Sequence, residues 1–301
     1  MDLIEWLKVV ALGIVEGVTE WLPISSTGHL ILVGDVLKPG VSDAFMEMFN
    51  VVIQLGAILA VVVLYFHKMW PFHTKKLAPE KSCFAHPVQE GAAGAFQKFA
   101  NNYCYMDKIV MWLKIAVSCM PAIIIGLPLD DWLEEHMHRP VPVAAMLIIY
   151  GVLFILIENY NRHRKPRMTR VSQITWKDAL IIGIFQVLAI VPGTSRSGAT
   201  IIGGILIGMS RTLAAEYTFY LAVPTMFGAS LMKLVKFGLH FTAVEASVLI
   251  VGMVVAFAVS ILAIKFLMSY IKRHDFKVFG WYRIVLGALV IALAAGGVLR
   301  G

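Results

Sequence analysis

Long runs of apolar residues separated by short polar stretches dominate the chain from end to end. A helix needs ~20 mostly apolar residues to cross a bilayer. The pattern predicts ten hydrophobic helices, six of them long enough to span a membrane. The ten segments lie near 4–22, 25–37, 44–66, 109–129, 141–160, 177–191, 196–208, 213–235, 246–271 and 280–299.

The remaining four segments form two neighbouring pairs, and each pair is interrupted by a proline, Pro23 in the first and Pro192 in the second. Proline ends a helix because it lacks an N–H donor and its ring clashes with the preceding turn. We therefore expect two re-entrant helix–loop–helix pairs.

The composition agrees with this pattern, since 59% of residues are hydrophobic and only 15% are charged. Such a chain cannot be a soluble domain around one core. We expect an all-α polytopic integral membrane protein, with residues 1–301 forming a single membrane domain. The first residues lack a basic stretch, so no cleaved signal peptide is expected.

The distribution of charge predicts an orientation. Loops 67–108, 161–177 and 271–279 are rich in Lys and Arg and are expected to be cytoplasmic, whereas the acidic loop 130–140 is expected outside. These loops account for the net charge of +7, so nucleic-acid binding is not expected. The three cysteines fit neither a disulfide framework nor a zinc site.

An internal repeat relates residues 13–29 to residues 183–199. At an offset of 170 the aligned pairs are Gly13 and Gly183, Glu16 and Gln186, Ser25 and Ser195, and Gly28 and Gly198. Three predicted spans separate the copies, and an odd number inverts the second copy. We expect repeat one over about 1–160, with an extended cytoplasmic loop 67–108, and repeat two over about 177–301. Inverted repeats with broken helices typically place their site near the bilayer midplane.

Two carboxylates lie inside the first hydrophobic pair. Glu16 and Glu20 are four residues apart and share one helix face. An intramembrane carboxylate costs ~2.5–3.5 kcal/mol on insertion scales. They could be a ligand pair for a divalent cation or a base, or a protonated carboxyl could simply be packed in the core. Glu158 and Lys265, in other apolar segments, are expected to extend their charged groups toward water.

The loop after Pro23 is rich in hydroxyl groups and begins a helix, whose N-terminus attracts anions. Ser26 is a candidate nucleophile, with His29 as its base or as the acid for the leaving group. A buried histidine with satisfied hydrogen bonds is the alternative for His29. Ser25 and Thr27 are candidate phosphate-binding residues.

The loop after Pro192 also begins a helix and carries Arg196, a side chain suited to bidentate phosphate binding. Gly193 allows the backbone to approach a ligand closely. Ser195, Ser197 and Thr200 add hydroxyl groups. An ion pair from Arg196 to Glu16 or Glu20 is the structural alternative, and it can coexist with phosphate binding. Together the two loops suit a phosphate or diphosphate group stabilised electrostatically.

These two motifs resemble those of the undecaprenyl-diphosphatase family of the bacitracin-resistance type. The family motif E-G-x-T-E-[FW]-L-P-[VI]-S-S-T-G-H corresponds to residues 16–29, and P-G-x-S-R-S-G-x-T corresponds to residues 192–200. The resemblance extends over most of the chain.

The resemblance implies dephosphorylation of undecaprenyl diphosphate to undecaprenyl phosphate at the outer face of the bacterial plasma membrane, with a divalent cation, Mg²⁺ or Ca²⁺. This recycles the lipid carrier for peptidoglycan synthesis and confers bacitracin resistance. It assigns metal or acid–base roles to Glu16 and Glu20, and attack to Ser26 or His29. Phosphate binding falls to Arg196 and its neighbouring hydroxyls. Membrane lipids are expected partners. Whether the protein forms a homodimer is left open by the sequence.

Two other functions compete with this one. Lipid phosphatases of the acid-phosphatase type need a Lys/Arg-Pro motif and a second histidine, and both are missing. A transporter or flippase of undecaprenyl phosphate would share the architecture of inverted repeats with broken helices, but it would release no phosphate. A structural scaffold would not explain the buried ionisable residues.

Overall fold

A computed structural model describes residues 2–37, 39–72, 92–238 and 240–299. This part of the chain forms twelve α-helices and no β-sheet. They are α1 (Leu3–Thr19), α2 (Ser26–Leu37), α3 (Asp43–Val52), α4 (Gln54–Met69), α5 (Ala92–Tyr103), α6 (Met106–Met137), α7 (Pro140–Asn161), α8 (Trp176–Val187), α9 (Arg196–Leu206), α10 (Arg211–Phe237), α11 (Ala243–Tyr270) and α12 (Lys277–Ala295).

Six helical stretches in the described residues are long and apolar enough to cross a membrane. They are Asp43–Met69, Met106–Gly126, Pro140–Asn161, Arg211–Phe237, Ala243–Tyr270 and Lys277–Ala295. The first of them joins α3 and α4 across a break at Ile53. This finding confirms the all-α polytopic fold and the predicted number of spans.

Two connections differ from the sequence prediction. Helix α6 continues through Pro121 and Pro128 to Met137, so most of the predicted outer loop 130–140 is helical. Hydropathy marks where apolar character ends, whereas a helix continues as long as its backbone hydrogen bonds do. The predicted loop 67–108 contains helix α5 and the first turn of α6, and its residues 73–91 lie outside the described ranges.

The two predicted broken pairs form helical hairpins, α1–α2 and α8–α9. Both breaks occur at the predicted prolines, with Pro23 between α1 and α2 and Pro192 between α8 and α9. In the first hairpin the Asp2 side chain caps α1, and the Glu5 carboxylate accepts a hydrogen bond from the backbone N–H of Gly40. These contacts join the start of α1 to the segment that follows α2, at the end of the hairpin opposite its turn. The polar turn lies inside the bundle, where Ser25 is buried.

The hairpins enter the bundle from opposite ends. At the base of the first hairpin, Trp6 and Leu37 pack in one apolar cluster with Phe237, at the C-terminal end of α10. At the base of the second, Gly208 accepts a hydrogen bond from the backbone N–H of Arg167, close to the N-terminal end of α10. Opposite entry is the arrangement expected of an inverted repeat.

The long helix of each hairpin packs against a span from the other half of the chain, α1 on α11 and α8 on α6. Glycines at aligned positions permit both contacts. A Cβ added at Gly13 would lie 3.0 Å from the carbonyl oxygen of Gly252, and one added at Gly183 would lie 2.5 Å from that of Ser118. Small residues let helix backbones approach closely in membranes. Because each hairpin packs against a span from the other half of the chain, the two polar turns come together.

Candidate active site

The turns of the two hairpins adopt the same unusual backbone conformation. Ser25 has φ 72° and Ser195 has φ 69°, a left-handed region that residues other than glycine seldom adopt. Each hydroxyl accepts a hydrogen bond from the N–H three residues later, at 3.4 Å from Gly28 and 3.3 Å from Gly198. Such strain persists only where surrounding structure imposes it, and it concentrates at functional sites.

Arg196 starts α9 and reaches across to the first hairpin. Its Nη2 donates to Oε1 of Glu20 at 3.0 Å, and its Nη1 donates to the carbonyl of Thr218 at 3.0 Å. Both partners of the ion pair are largely buried. The Nε of Arg196 has no hydrogen-bond partner among the described residues. One edge of the guanidinium, Nε with Nη2, could therefore receive a phosphate if Glu20 moved aside.

Glu20 stands between the arginine and the serines of both turns. Its Oε2 accepts a hydrogen bond from the Ser26 hydroxyl at 3.4 Å. Its backbone carbonyl accepts one from Ser197 at 3.2 Å, and the hydroxyls of Ser197 and Ser195 lie 3.1 Å apart. A carboxylate within reach of a serine hydroxyl is an arrangement for proton transfer, and such contacts are often long in a site without substrate.

Glu16 lies one helical turn before Glu20 and is buried. Neither of its carboxylate oxygens has a hydrogen-bond partner among the described residues. Gln186, the aligned residue of the second hairpin, is buried as well and its side-chain amide is unpartnered in the same ranges. Buried polar groups almost always find a partner, so these atoms fit positions that a ligand would occupy.

His29 is partly buried, and both of its ring nitrogens lie within hydrogen-bond distance of a protein oxygen. Its Nδ1 lies 2.8 Å from the carbonyl of Ser25, and its Nε2 lies 2.7 Å from the hydroxyl of Tyr282. A carbonyl can only accept, so Nδ1 carries the proton. No hydrogen bond joins His29 to Ser26 in the part of the chain that the structure describes.

The other predicted phosphate-binding residues hold the turns in place. The Thr200 hydroxyl donates to the Arg196 carbonyl at 2.9 Å and lies 2.8 Å from the hydroxyl of Thr218 in α10. Gly193 has φ +91°, and a Cβ there would lie 2.6 Å from the carbonyl of Val143. Thr27 is half-buried on the first turn of α2.

Arg283, in α12, joins the two turns and was not singled out from the sequence. It is fully buried. Its Nη1 donates to the carbonyl of Pro23 at 3.2 Å, and its Nη2 donates to those of Gly193 and Thr194 at 2.8 and 2.7 Å. A charged residue inside an apolar segment is a functional candidate by default, and that signal was available.

An apolar groove of about 620 Å³ adjoins this cluster, with Arg196 and Gln186 on its wall. Side chains from α6, the end of the second hairpin and α10 line the remainder. They include Cys119, Ile123, Ile190, Met226, Leu231 and Met232. A guanidinium beside an apolar groove suits a ligand with an anionic head and a hydrocarbon tail.

Comparisons with known proteins agree with this geometry. The family model described as bacitracin resistance protein BacA matches residues 9–289. The chain is 56% identical to an undecaprenyl-diphosphatase of Enterococcus faecalis, over 98% of this chain and 99% of that protein. It is 56% identical to undecaprenyl-diphosphatase 1 of Clostridium acetobutylicum, over 97% and 98%. It is 51% identical to an undecaprenyl-diphosphatase of Lactiplantibacillus plantarum, over 96% and 98%. Because the family model covers nearly the whole chain and both turn motifs meet in one buried cluster, this chain belongs to the bacitracin resistance protein BacA family.

Proposed function

We propose that this multi-pass membrane protein is a phosphatase that hydrolyses undecaprenyl diphosphate to undecaprenyl phosphate and phosphate. The observation that carries the proposal is the Glu20–Arg196–Ser26 cluster, at two helix N-termini and beside an apolar groove. The relatives named as undecaprenyl-diphosphatases match this chain from end to end.

The arrangement assigns a role to each group. Arg196 and the N–H groups that begin α2 and α9 would bind the diphosphate oxygens, since helix N-termini attract anions. Glu20 would act as general base toward the Ser26 hydroxyl, which already donates a hydrogen bond to it. The Ser26 oxygen would form a bond to the terminal phosphorus as the P–O bond to undecaprenyl phosphate breaks. A water molecule would then hydrolyse the phosphoserine, releasing phosphate and restoring the Ser26 hydroxyl. The developing negative charge would be stabilised by Arg196, a preorganised donor in a site shielded from water.

The groove supports binding of the prenyl tail and an outward-facing site. It continues from Arg196 along residues 224–232 of α10, toward the end of the bundle that lies away from the basic loops. Since basic loops are expected to be cytoplasmic, the groove would open to the outer face of the plasma membrane. Hydrolysis there would recycle the lipid carrier for peptidoglycan synthesis and oppose bacitracin, which sequesters the diphosphate.

The decisive experiment is phosphate release from undecaprenyl diphosphate by the detergent-purified protein, with Mg²⁺ or Ca²⁺ present. We expect release by the wild-type protein and release about a thousandfold slower by Glu20→Gln. We expect no hydrolysis of inorganic pyrophosphate, which lacks a tail for the groove. A well-folded wild-type protein that released no phosphate would instead favour transport of undecaprenyl phosphate, an activity that the opposite entry of the hairpins would suit.

We also propose that Glu16 and Glu20 hold a divalent cation, Mg²⁺ or Ca²⁺. Hard cations prefer carboxylate oxygens, and Mg²⁺ is commonly shared with substrate phosphates. No group of three or more His, Cys, Asp or Glu side chains in the described residues is placed to hold a metal ion by itself, so water and phosphate oxygens would supply the remaining ligands. When bound, the cation would neutralise charge on the diphosphate.

We expect Glu16→Gln to raise the cation concentration needed for half-maximal phosphate release by about tenfold or more, because a charged ligand is lost. Excess chelator should abolish release by the wild-type protein. Mn²⁺ binding followed by electron paramagnetic resonance gives a readout independent of turnover. Glu47→Gln, which removes an exposed carboxylate of α3, is the matched control and should behave as wild type. Unchanged Mn²⁺ binding by Glu16→Gln would mean that Glu16 is only a protonated core residue.

A further inference from the structure

A second pocket, of about 510 Å³, opens at the end of the bundle that carries the basic loops. Five cationic side chains and one carboxylate line it in the described part of the chain, namely Arg164, Lys165, Arg167, Arg211, Lys272 and Glu158. Along α10, Arg211 precedes the first groove residue, Pro224, by 13 positions. At ~1.5 Å per residue this pocket lies about 20 Å from the groove and is separate from the candidate active site.

The back wall of the pocket is an ion pair between Arg211, which is partly exposed, and the buried carboxylate of Glu158. The expectation that Glu158 extends its charge toward water is wrong, since the residue is 1% exposed. Its carboxylate accepts hydrogen bonds from Nε and Nη2 of Arg211 at 2.5–3.0 Å, and from the backbone N–H of Phe276 at 3.0 Å. A bidentate pair of this kind fixes the orientation of the guanidinium.

The side walls are also held by specific contacts. Nη2 of Arg167 donates to Asp178 at 2.6 Å. Burial alone would raise the pKa of Asp178, but hydrogen bonds from Thr175 and Arg167 hold it below its usual value, so this partner stays ionised at neutral pH. The guanidinium of Arg164 stacks on the ring of Tyr160, 3.8 Å from its centre.

The pocket keeps an excess of positive charge after these pairs are formed. Arg167 and Arg211 are neutralised by Asp178 and Glu158. Arg164, Lys165 and Lys272 have no ion pair with a carboxylate among the described residues. Three uncompensated cations around one cavity attract an anion with more than one charged or strongly accepting oxygen.

The surroundings of the pocket favour a lipid over a soluble anion. It is formed at the ends of α7, α10 and α11, each of which is long and apolar enough to cross a membrane, so we expect it near the depth of the lipid headgroups. Leu206 lines it and is 41% exposed, and Tyr160, beside Arg164, is 57% exposed. An exposed apolar rim next to a cationic interior matches an anionic head joined to acyl chains.

We propose that this pocket binds the phosphate headgroup of an anionic membrane lipid in the leaflet next to the basic loops. Lys165, Lys272 and Arg164 contact the phosphate oxygens, and the acyl chains lie along Leu206. Basic pockets between membrane helices bind lipid headgroups in this way. The site requires no turnover, and its occupancy is independent of the proposed phosphatase activity.

The test is a titration of the purified protein with phosphatidylglycerol, followed by native mass spectrometry, with phosphatidylcholine as the neutral comparison. We expect preferential binding of phosphatidylglycerol, weakened about thirtyfold by Lys165→Ala with Lys272→Ala, since each Lys near an anionic headgroup contributes a factor of about five. Lys165→Arg with Lys272→Arg should bind as wild type. The matched control is Arg162→Ala with Lys177→Ala, two exposed cations at the end of α7 and the start of α8 that do not line the pocket.

The control pair should change affinity by less than about threefold, because screening limits distant surface charges. An equal loss of phosphatidylglycerol affinity in the control variant would mean that the lipid is attracted to the basic surface in general and not to this pocket. That result would overturn the proposal. Wild-type affinity in the Lys165 and Lys272 double alanine variant would overturn it as well. We expect inorganic phosphate in large excess not to displace the lipid, and displacement would assign the pocket to a soluble anion instead.

Discussion

Replacing Glu20 by glutamine should lower kcat for phosphate release from undecaprenyl diphosphate by about a thousandfold, within the range that one general base contributes. Glutamine keeps the size of the side chain and an acceptor for Arg196, but it cannot take a proton from Ser26. KM, measured at saturating cation, should change little, because Arg196, which donates to Glu20 at 3.0 Å, keeps an acceptor at this position and stays available to the substrate phosphate. Steady-state kinetics with both parameters resolved provide the measurement.

A second variant separates chemistry from structure. If Glu20 served only as the hydrogen-bond partner of Arg196, then Glu20→Gln, which still offers the guanidinium an acceptor, would keep a near-wild-type kcat. Arg196→Met removes the phosphate-binding side chain and leaves the Glu20 carboxylate in place. We expect Arg196→Met to raise KM strongly, whereas Glu20→Gln should lower kcat.

The sequence was sufficient to locate both turns, because their signals are local. Pro23 and Pro192 end helices for reasons that lie in the backbone itself, and both breaks are where they were expected. The repeat alignment paired Ser25 with Ser195, and the structure gives these two residues nearly equal positive φ angles. The ion pair of Arg196 with Glu20 was one of two pairings anticipated, and the Glu16 carboxylate has no hydrogen-bond partner within the ranges that the structure describes.

The contacts that could not be predicted from the sequence join helices that are far apart along the chain. Thr218 and Tyr282 contact Arg196 and His29 across 22 and 253 positions of chain, and no local pattern marks either residue. The ion pair of Glu158 with Arg211 also depends on packing between helices, because the sequence around Glu158 does not indicate which cationic side chain will contact it. These partners are determined by how the helices pack in three dimensions. The hydrophobic periodicity of a single segment does not indicate which residues of other helices it will contact.

Replacing Arg283 by methionine should lower kcat by about a hundredfold with little change in KM. Helix packing places this residue between the two turns of the candidate active site. Its three hydrogen bonds to the carbonyls of Pro23, Gly193 and Thr194 fix the two turns relative to each other. A misplacement of about 1 Å in a catalytic arrangement can cost about a hundredfold in rate. Methionine fills a similar volume but leaves three buried carbonyls without a donor.

Lysine at position 283 should recover only part of the rate, because one ammonium group cannot reproduce the planar fork that spans both turns. Arg211→Met is the matched control, since it also removes a guanidinium that anchors a buried group, the Glu158 carboxylate, but at the start of α10 rather than between the two turns. Both methionine variants should unfold at lower temperature than wild type. Only Arg283→Met should lower kcat of the folded protein. Equal kcat values for the two variants would reduce Arg283 to a stabilising residue, and the alignment of the two turns would then come from the Glu20–Arg196 ion pair and the hydrogen bond from Ser197 to the Glu20 carbonyl.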